Sequence, residues 1–343
     1  MKQKKVMHSY GWVWVVLMLL VLVLGACGKQ PEPEKAASPA AASNTDAGKQ
    51  TNTPASNAPT TKMFKAANGT IEVPDKPQRI VTLAPNYAGY LLTLGVAPLG
   101  VPEFTLGNPY LKGKLDNVVN LGANAAIEPA LEQVLALKPD LIIGLTALKN
   151  VEQLSKIAPV VTFEATKNYK EVLTDLGKLT NKETQAKAWL DQWDAKMKRL
   201  KPQVDAVVKG KSFSIMYPSA KGIYLFREGY GRGTEILYGE FGLKMPEKAA
   251  QTFKEGQGFS VVSTENLPEL AGDFIITAPW LGDAAGAGTV YDSPIWKGLP
   301  AVKSGQAYNV DYNIFTFSDP FSWQGQLTII LDQLLPNRDK SKD

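Results

Sequence analysis

The chain has 343 residues, 44% of them hydrophobic, and a formal net charge of +4. That length supports one large or two ordinary domains with real cores. Three of the four net positive charges come from Lys2, Lys4 and Lys5, at the very start of the chain. The remainder is nearly neutral, which removes any global electrostatic case for nucleic acid. Cys27 is the only cysteine and His8 the only histidine. A disulfide framework, a Ser-His-Asp or Cys-His nucleophile and a zinc site of His and Cys ligands are therefore all excluded from the folded part.

The first element is a basic start followed by an apolar run from Trp12 to Leu24 and then Gly25-Ala26-Cys27. The run has the length of a signal-peptide core and is short for a membrane span. "LGAC" resembles a bacterial lipobox, so residues 1–26 are expected to be a lipoprotein signal peptide and Cys27 the lipidated first mature residue. An uncleaved anchor ending in an incidental cysteine is the plainer alternative. From Gly28 to Thr61 there is no Val, Ile, Leu, Met or aromatic residue. Such a segment cannot bury enough apolar surface to offset its ordering entropy, and residues 27–61 are expected to be a lipidated, disordered tether spanning about 30 Å.

An N-terminal lobe is expected over residues 62–180. "GTIEVP" (Gly69–Pro74) reads as a strand or hairpin arm and "RIVTLA" (Arg79–Ala84) as a buried strand. A helix then begins at Asn86, the expected N-cap, and stops at Gly95. "LEQVLALKP" is a short helix ahead of a strand at Asp140–Leu145, and Lys156–Glu164 is another strand. Strands alternating with helices predict a parallel α/β sheet. Residues 181–209 change pattern: Trp189, Trp193, Met197 and Leu200 form one apolar helical stripe, read as core packing. The stretch predicts a strut of roughly 40 Å, kinked or restarted at Pro202.

A C-terminal lobe is expected over 210–336, with a polar tail at 337–343. It opens with a strand at Ser212–Ser219 and closes with a helix from about Ser322 to Leu335. The two lobes echo each other. Glu132 lies eight residues before Asp140, and Glu265 eight before Asp273, each ahead of an apolar strand. Two lobes on one plan would put the two glutamates at equivalent points, although a glutamate at a helix start is also ordinary dipole chemistry.

Between these landmarks lies "GIYLFREGYGRGTEILYGEFG", Gly222–Gly242. Gly229, Gly231 and Gly233 give G-x-G-x-G rather than the G-x-G-x-x-G of a dinucleotide loop, and no P-loop or nucleophile elbow occurs. An arginine-glycine RNA patch would be repetitive and set in a basic region; this one occurs once, beside Glu228 and Glu235. What remains is a loop between a strand at Tyr224–Phe226 and a helix starting near Thr234. Tyr230 offers a flat wall and Arg232 a rigid fork of donors. On spelling alone, a plain turn with a surface arginine is the simpler account.

The chain resembles the solute-binding lipoproteins of ABC importers for iron–siderophore complexes, above all the Gram-positive ferric-hydroxamate binders. The likeness runs from Met63 to Leu335. It is carried by "RIVTLAPNYAGYLLTLGV", "LEQVLALKPDLIIGL", "GYGRGTEILYGEFGLKM" and "YDSPIWKGLPAVKSGQAYNVD". The resemblance implies two Rossmann-like α/β lobes joined by a single long rigid helix, as in class III solute-binding proteins, with ligand in a shallow cleft between them. It implies ligand contacts at Tyr224, Tyr230 and Arg232, with Asn86 and Tyr87 facing the cleft from the first lobe. It implies a further aromatic near Thr316, which this chain lacks, so either Phe315 or Phe317 compensates or the ligand preference differs. It places permease docking on Glu132 and Glu265. The implied protein is no enzyme and has no cofactor or metal ligand of its own, since a siderophore supplies all six oxygens that ferric iron wants. Its implied partners are a ferric siderophore, an ABC permease dimer and, through Cys27, the outer face of a Gram-positive cell membrane. It is expected to be a monomer. The alternatives are another chelate (ferric catecholate, ferric citrate, haem or cobalamin), direct iron binding by Tyr224 and Tyr230, and a cell-wall enzyme using Glu228 and Glu235 as paired carboxylates.

Overall fold

The computed structural model describes residues 60–340. The expected signal peptide, Cys27 and all of the tether up to residue 59 lie outside the described residues, as do residues 341–343. Chain order begins with an antiparallel hairpin, β1 (Thr61–Ala66) and β2 (Gly69–Pro74). Thr61, assigned to the tether from sequence, is already paired with Pro74 in this hairpin. Asn68, in its turn, exchanges hydrogen bonds with the backbone of Val160 and Thr162.

The first sheet contains β3 (Ile80–Thr82), β4 (Gly100–Val101), β5 (Val119–Asn120), β6 (Leu141–Leu145) and β7 (Val160–Phe163). Its order is β5-β4-β3-β6-β7, parallel throughout. All residues of β3 and β7 are buried, which is why they read as continuous apolar runs rather than alternating ones. The second sheet contains β8 (Phe213–Ser219), β9 (Gly222–Phe226), β10 (Phe259–Val262), β11 (Phe274–Thr277) and β12 (Ala307–Asn309), in the order β10-β9-β8-β11-β12. Here the expectation of two lobes on one plan holds only in part. β8, β11 and β12 are parallel, but β9 runs antiparallel to both β8 and β10. The cause is local: Ser219 pairs with Gly222 across a two-residue turn, too short for a crossover helix.

The echo between the lobes has a physical basis. Asp140 accepts hydrogen bonds from the backbone N–H groups of Gln78 and Arg79 at 2.7 and 2.9 Å, just before β3. Asp273 accepts from Ser212 N at 2.8 Å and Ser212 Oγ at 2.9 Å, just before β8. The Ser212 backbone N–H holds the Asp273 carboxyl below its ordinary range. Each aspartate thus fastens the entry of one strand beside the entry of its parallel partner. Glu132 and Glu265 stand in the first turns of the short helical segments ahead of these aspartates, both exposed.

The connecting helix runs from Glu183 to Val208, 26 residues and about 39 Å at 1.5 Å per residue. It continues through Pro202 rather than restarting there. Trp193, Met197 and Leu200 are buried as expected, and the stripe extends to Val204 and Val208. Trp189 is only half-buried and stacks on Trp193 at 5.3 Å. One core cluster takes this stripe together with inner-face residues of both sheets, among them Ile80, Ile143, Phe213 and Ile276. It also takes Trp323, Leu327 and Ile330 from the C-terminal helix, Pro320–Leu334. That helix packs on the helix Tyr87–Thr93 of the first lobe, with Tyr90 and Trp323 edge-to-face at 5.5 Å. The lobes are therefore joined by packed core as well as by the strut. The start of the expected polar tail is also held, because Arg338 Nη1 donates to Asp332 at 2.7 Å.

Glu240 sits at this junction, where Lys170 Nζ and Trp193 Nε1 approach one of its carboxylate oxygens at 2.9 and 3.2 Å. Lys170 is shared with Asp194 at 2.6 Å. Burial pushes the Glu240 carboxyl up to about 7. A carboxyl raised in the folded state holds a proton there that the unfolded chain has already lost. Its contribution to stability is complete below the ordinary glutamate pKa and is lost as pH rises through about 7. Glu240→Gln should accordingly flatten the fall in stability between pH 5 and 8, by on the order of 2 kcal/mol. Urea unfolding at both pH values checks this, and equal slopes for the two proteins would refute it.

Candidate functional site

A cleft of about 770 Å³ opens between the lobes. Asn86 and Tyr87 reach it just past the carboxyl end of β3, and Trp280 just past that of β11. Ligand clefts in open α/β sheets form at these strand ends. The glycine loop stands beside Trp280 and forms the wall facing Asn86 and Tyr87. Gly229, Gly231, Arg232 and Gly233 all have positive φ, at 83°, 70°, 63° and 83°. A Cβ on Gly231 would lie 3.2 Å from the Thr316 carbonyl, and one on Gly233 3.3 Å from the Phe315 ring, so both close approaches require glycine. Arg232 has no such freedom, and a non-glycine residue in this region is the strain found at ligand clamps.

Buried Glu235 fastens the loop. Its Oε1 accepts from Gly231 N at 2.9 Å and from Ser318 Oγ at 2.7 Å, and its Oε2 from Thr234 Oγ1 at 3.1 Å. Both oxygens are thereby committed to holding backbone and hydroxyls, so Glu235 is not a free partner for Glu228 in acid–base chemistry. Arg232 lies in a box of aromatic rings, its guanidinium carbon 4.5 Å from the Phe226 centroid, 5.5 Å from Tyr230 and 5.8 Å from Trp280. Its Nη1 donates to the Tyr230 carbonyl at 2.8 Å, while Nε is buried without a hydrogen-bond partner. The hydroxyl oxygen of Thr316 is buried and unpartnered in the same wall. Buried donors of this kind are costly unless a ligand oxygen meets them.

Charge in the cleft is sparse. Lys167 is ion-paired to Glu171 at 3.4 Å and Asp175 at 3.1 Å. Arg227 and Arg232 are the cations of the lining without a carboxylate partner among the described residues. Among those residues no group of three or more His, Cys, Asp or Glu could hold a metal ion.

The structure brings Asn86, Tyr87, Tyr230 and Arg232 together around this cleft. Asn86 makes no side-chain N-cap bond; instead its Oδ1 accepts from Ser318 N at 3.3 Å, across the lobe boundary. Tyr87 is largely buried, with the Phe163 ring edge-on at 5.4 Å. Tyr224 is one ring removed from the lining: it stacks on Trp280 at 4.0 Å and 6°, and Trp280 makes the wall. Phe315 and Phe317 do not replace the missing aromatic at Thr316. Thr316 follows the short helix Tyr312–Phe315 and faces the cleft, so its neighbours turn away from it. Phe315 is fully buried, and Phe317 lies beneath Phe104 at 4.8 Å. The aromatic lining comes instead from Trp280, Tyr312 and Phe104, none of them singled out from sequence. For Trp280 the missed signal was its place immediately beyond a buried parallel strand.

Two α/β lobes, a shared core and an aromatic cleft with a few oriented donors make a substrate-binding protein rather than an enzyme. The chain belongs to the periplasmic binding protein family, whose profile matches residues 80–313. It is 39% identical over 274 residues to the iron(3+)-hydroxamate-binding protein FhuD of Bacillus subtilis (strain 168), covering 79% of this chain and 85% of that one. It is 32% identical over 288 residues to iron(3+)-hydroxamate-binding protein YxeB of the same organism, covering 82% and 87%. A solved structure of the FhuD fold family, a periplasmic binding protein component of a Fep/Fec-like ferrichrome ABC transporter from Bacillus subtilis, superposes with a TM-score of 0.71. It shares 38% identity, over 79% of this chain and 99% of that one. No helix among the described residues is long and apolar enough to cross a membrane.

Proposed function

We propose that the protein captures ferric hydroxamate siderophores in the inter-lobe cleft and delivers them to an ABC permease for iron uptake. The observation that carries this is Arg232, boxed by three aromatic rings with a buried donor unpartnered. Hydroxamate chelates present carboxamide-like oxygens around an iron already saturated by six hard ligands, so the protein supplies flat apolar walls and a few donors, not metal ligands. The sparse charge suits a neutral or weakly charged complex; a trianionic catecholate would call for a denser basic lining. The names of the FhuD and YxeB relatives support the same class. The position of Tyr224 behind Trp280 weighs against direct phenolate ligation of iron.

The reading includes a lipid on Cys27 that holds a monomer on the outer face of a Gram-positive cell membrane. It also includes docking of the exposed Glu132 and Glu265, one per lobe, on a permease dimer. Titration of the full-length protein with ferric desferrioxamine B, a ferric enterobactin-type catecholate and ferric citrate, followed by tryptophan fluorescence, tests it. Submicromolar quenching is expected for the hydroxamate, and its absence overturns the assignment. Glu132→Ala and Glu265→Ala should leave that binding intact and abolish uptake; weakened binding would count against docking.

A further inference from the structure

A second depression, of about 390 Å³, opens on the C-terminal lobe beside the glycine loop. Arg227 and Glu228 line both it and the cleft, so the two adjoin at this pair of residues. Its floor is apolar: Leu243, Met245 and Phe253, half-buried, with the ring of Tyr238. The segment Glu235–Glu240 is a π-turn helix, in which Phe241 N donates to Ile236 O at 2.9 Å. Such widened turns recur at functional sites. The Tyr238 hydroxyl donates inward to the Phe213 carbonyl at 3.2 Å, so its polar end is satisfied. Lys254 and Glu255 stand in the lining as well. No hydrogen bond or ion pair engages the side chains of Arg227, Glu228, Lys254 or Glu255 among the described residues.

An open apolar strip of this size holds a separate small molecule weakly. A group attached to a ligand already seated in the cleft meets it at an effective concentration in the millimolar range, which makes the same contact useful. The border shared with the cleft therefore selects the occupant. We propose that the groove is a subsite for the pendant apolar arm of a linear hydroxamate chelate, the iron centre remaining in the cleft; this rests on the hydroxamate reading above. The arm crosses between Arg227 and Glu228 and lies on Met245 and Phe253.

The test compares three ferric complexes on the full-length protein: compact cyclic ferrichrome, and the N-acetyl and N-hexanoyl amides of ferrioxamine B. The hexanoyl amide should bind about tenfold more tightly than the acetyl amide, less than complete burial of the added methylenes would give because the groove is open on one side. Met245→Asp and Phe253→Ser should each remove that gain and leave ferrichrome affinity unchanged. Equal affinities for the two amides, or a gain that survives both substitutions, overturns the subsite while leaving ferrichrome capture standing. Failure of all three complexes to bind brings down the hydroxamate reading and the subsite with it.

Discussion

Replacing Arg232 by alanine is expected to weaken binding of ferric desferrioxamine B about 30-fold while leaving the melting temperature within about a degree of the parent. A hydrogen bond from a charged donor contributes about 2 kcal/mol when its partner is desolvated, which corresponds to that factor in affinity. The fold has little stake in the side chain, because its one intramolecular hydrogen bond returns to the neighbouring Tyr230 carbonyl and its ring contacts are offset by the cost of the buried, unpartnered Nε. Alanine shares the strained backbone of Arg232, whose φ is 63°, so the substitution does not relax the loop and the comparison isolates the guanidinium. Arg232→Lys separates charge from shape. An ammonium keeps the positive charge but loses the planar fork and the stacking among Phe226, Tyr230 and Trp280, so it should recover only part of the loss. Unchanged affinity in Arg232→Ala would remove this residue from the site.

What the sequence made legible follows the range of the interactions involved. The long helix was readable because Trp193, Met197 and Leu200 recur at a single helical period, and the buried strands because both faces of a parallel sheet need apolar residues. The glutamate–aspartate spacing was readable as an echo, although the reason for it, Asp140 and Asp273 fastening the entries of β3 and β8, appears only in three dimensions. The direction of β9 was not readable, since a strand has the same spelling whichever way its neighbour runs. The aromatic wall was misassigned for a related reason. The phenylalanines beside Thr316 are the nearest substitutes in the chain, but residues adjacent to one that faces the cleft turn away from it, and the lining rings come from Tyr312, one helical turn back, and from Phe104 and Trp280, far off in sequence. Glu235 illustrates the same limit: beside Glu228 in the chain it suggested an acid pair, whereas its hydrogen bonds make it the fastener of the loop.

The largest effect on stability is expected at Asp319, fully buried where the C-terminal helix meets the first lobe. Its carboxylate accepts from Phe321 N at 3.0 Å and Ser322 N at 3.2 Å, capping that helix, and from Ser322 Oγ at 2.5 Å. It also accepts from Asn108 Nδ2 of the first lobe at 2.8 Å. Gly89 leaves room for it: a Cβ there would overlap the Asp319 carboxyl. Burial raises the carboxyl's pKa, and the four donors pull the other way. Asp319→Ala removes a helix cap and strands buried donors on both sides of the lobe boundary, a loss of about 3 kcal/mol. For a body of this size that corresponds to a fall in melting temperature of roughly 5 °C. Ligand affinity should fall as well, because neighbouring Ser318 holds both Asn86 and Glu235 in the cleft. Gly89→Ala attacks the same junction from the other lobe and should mimic both effects. A change of under 2 °C in both variants would mean that the strut and core alone hold the lobes. The expected result means instead that the two walls of the cleft are fixed against each other before ligand arrives, so that affinity rests on a preformed shape rather than on hinge closure.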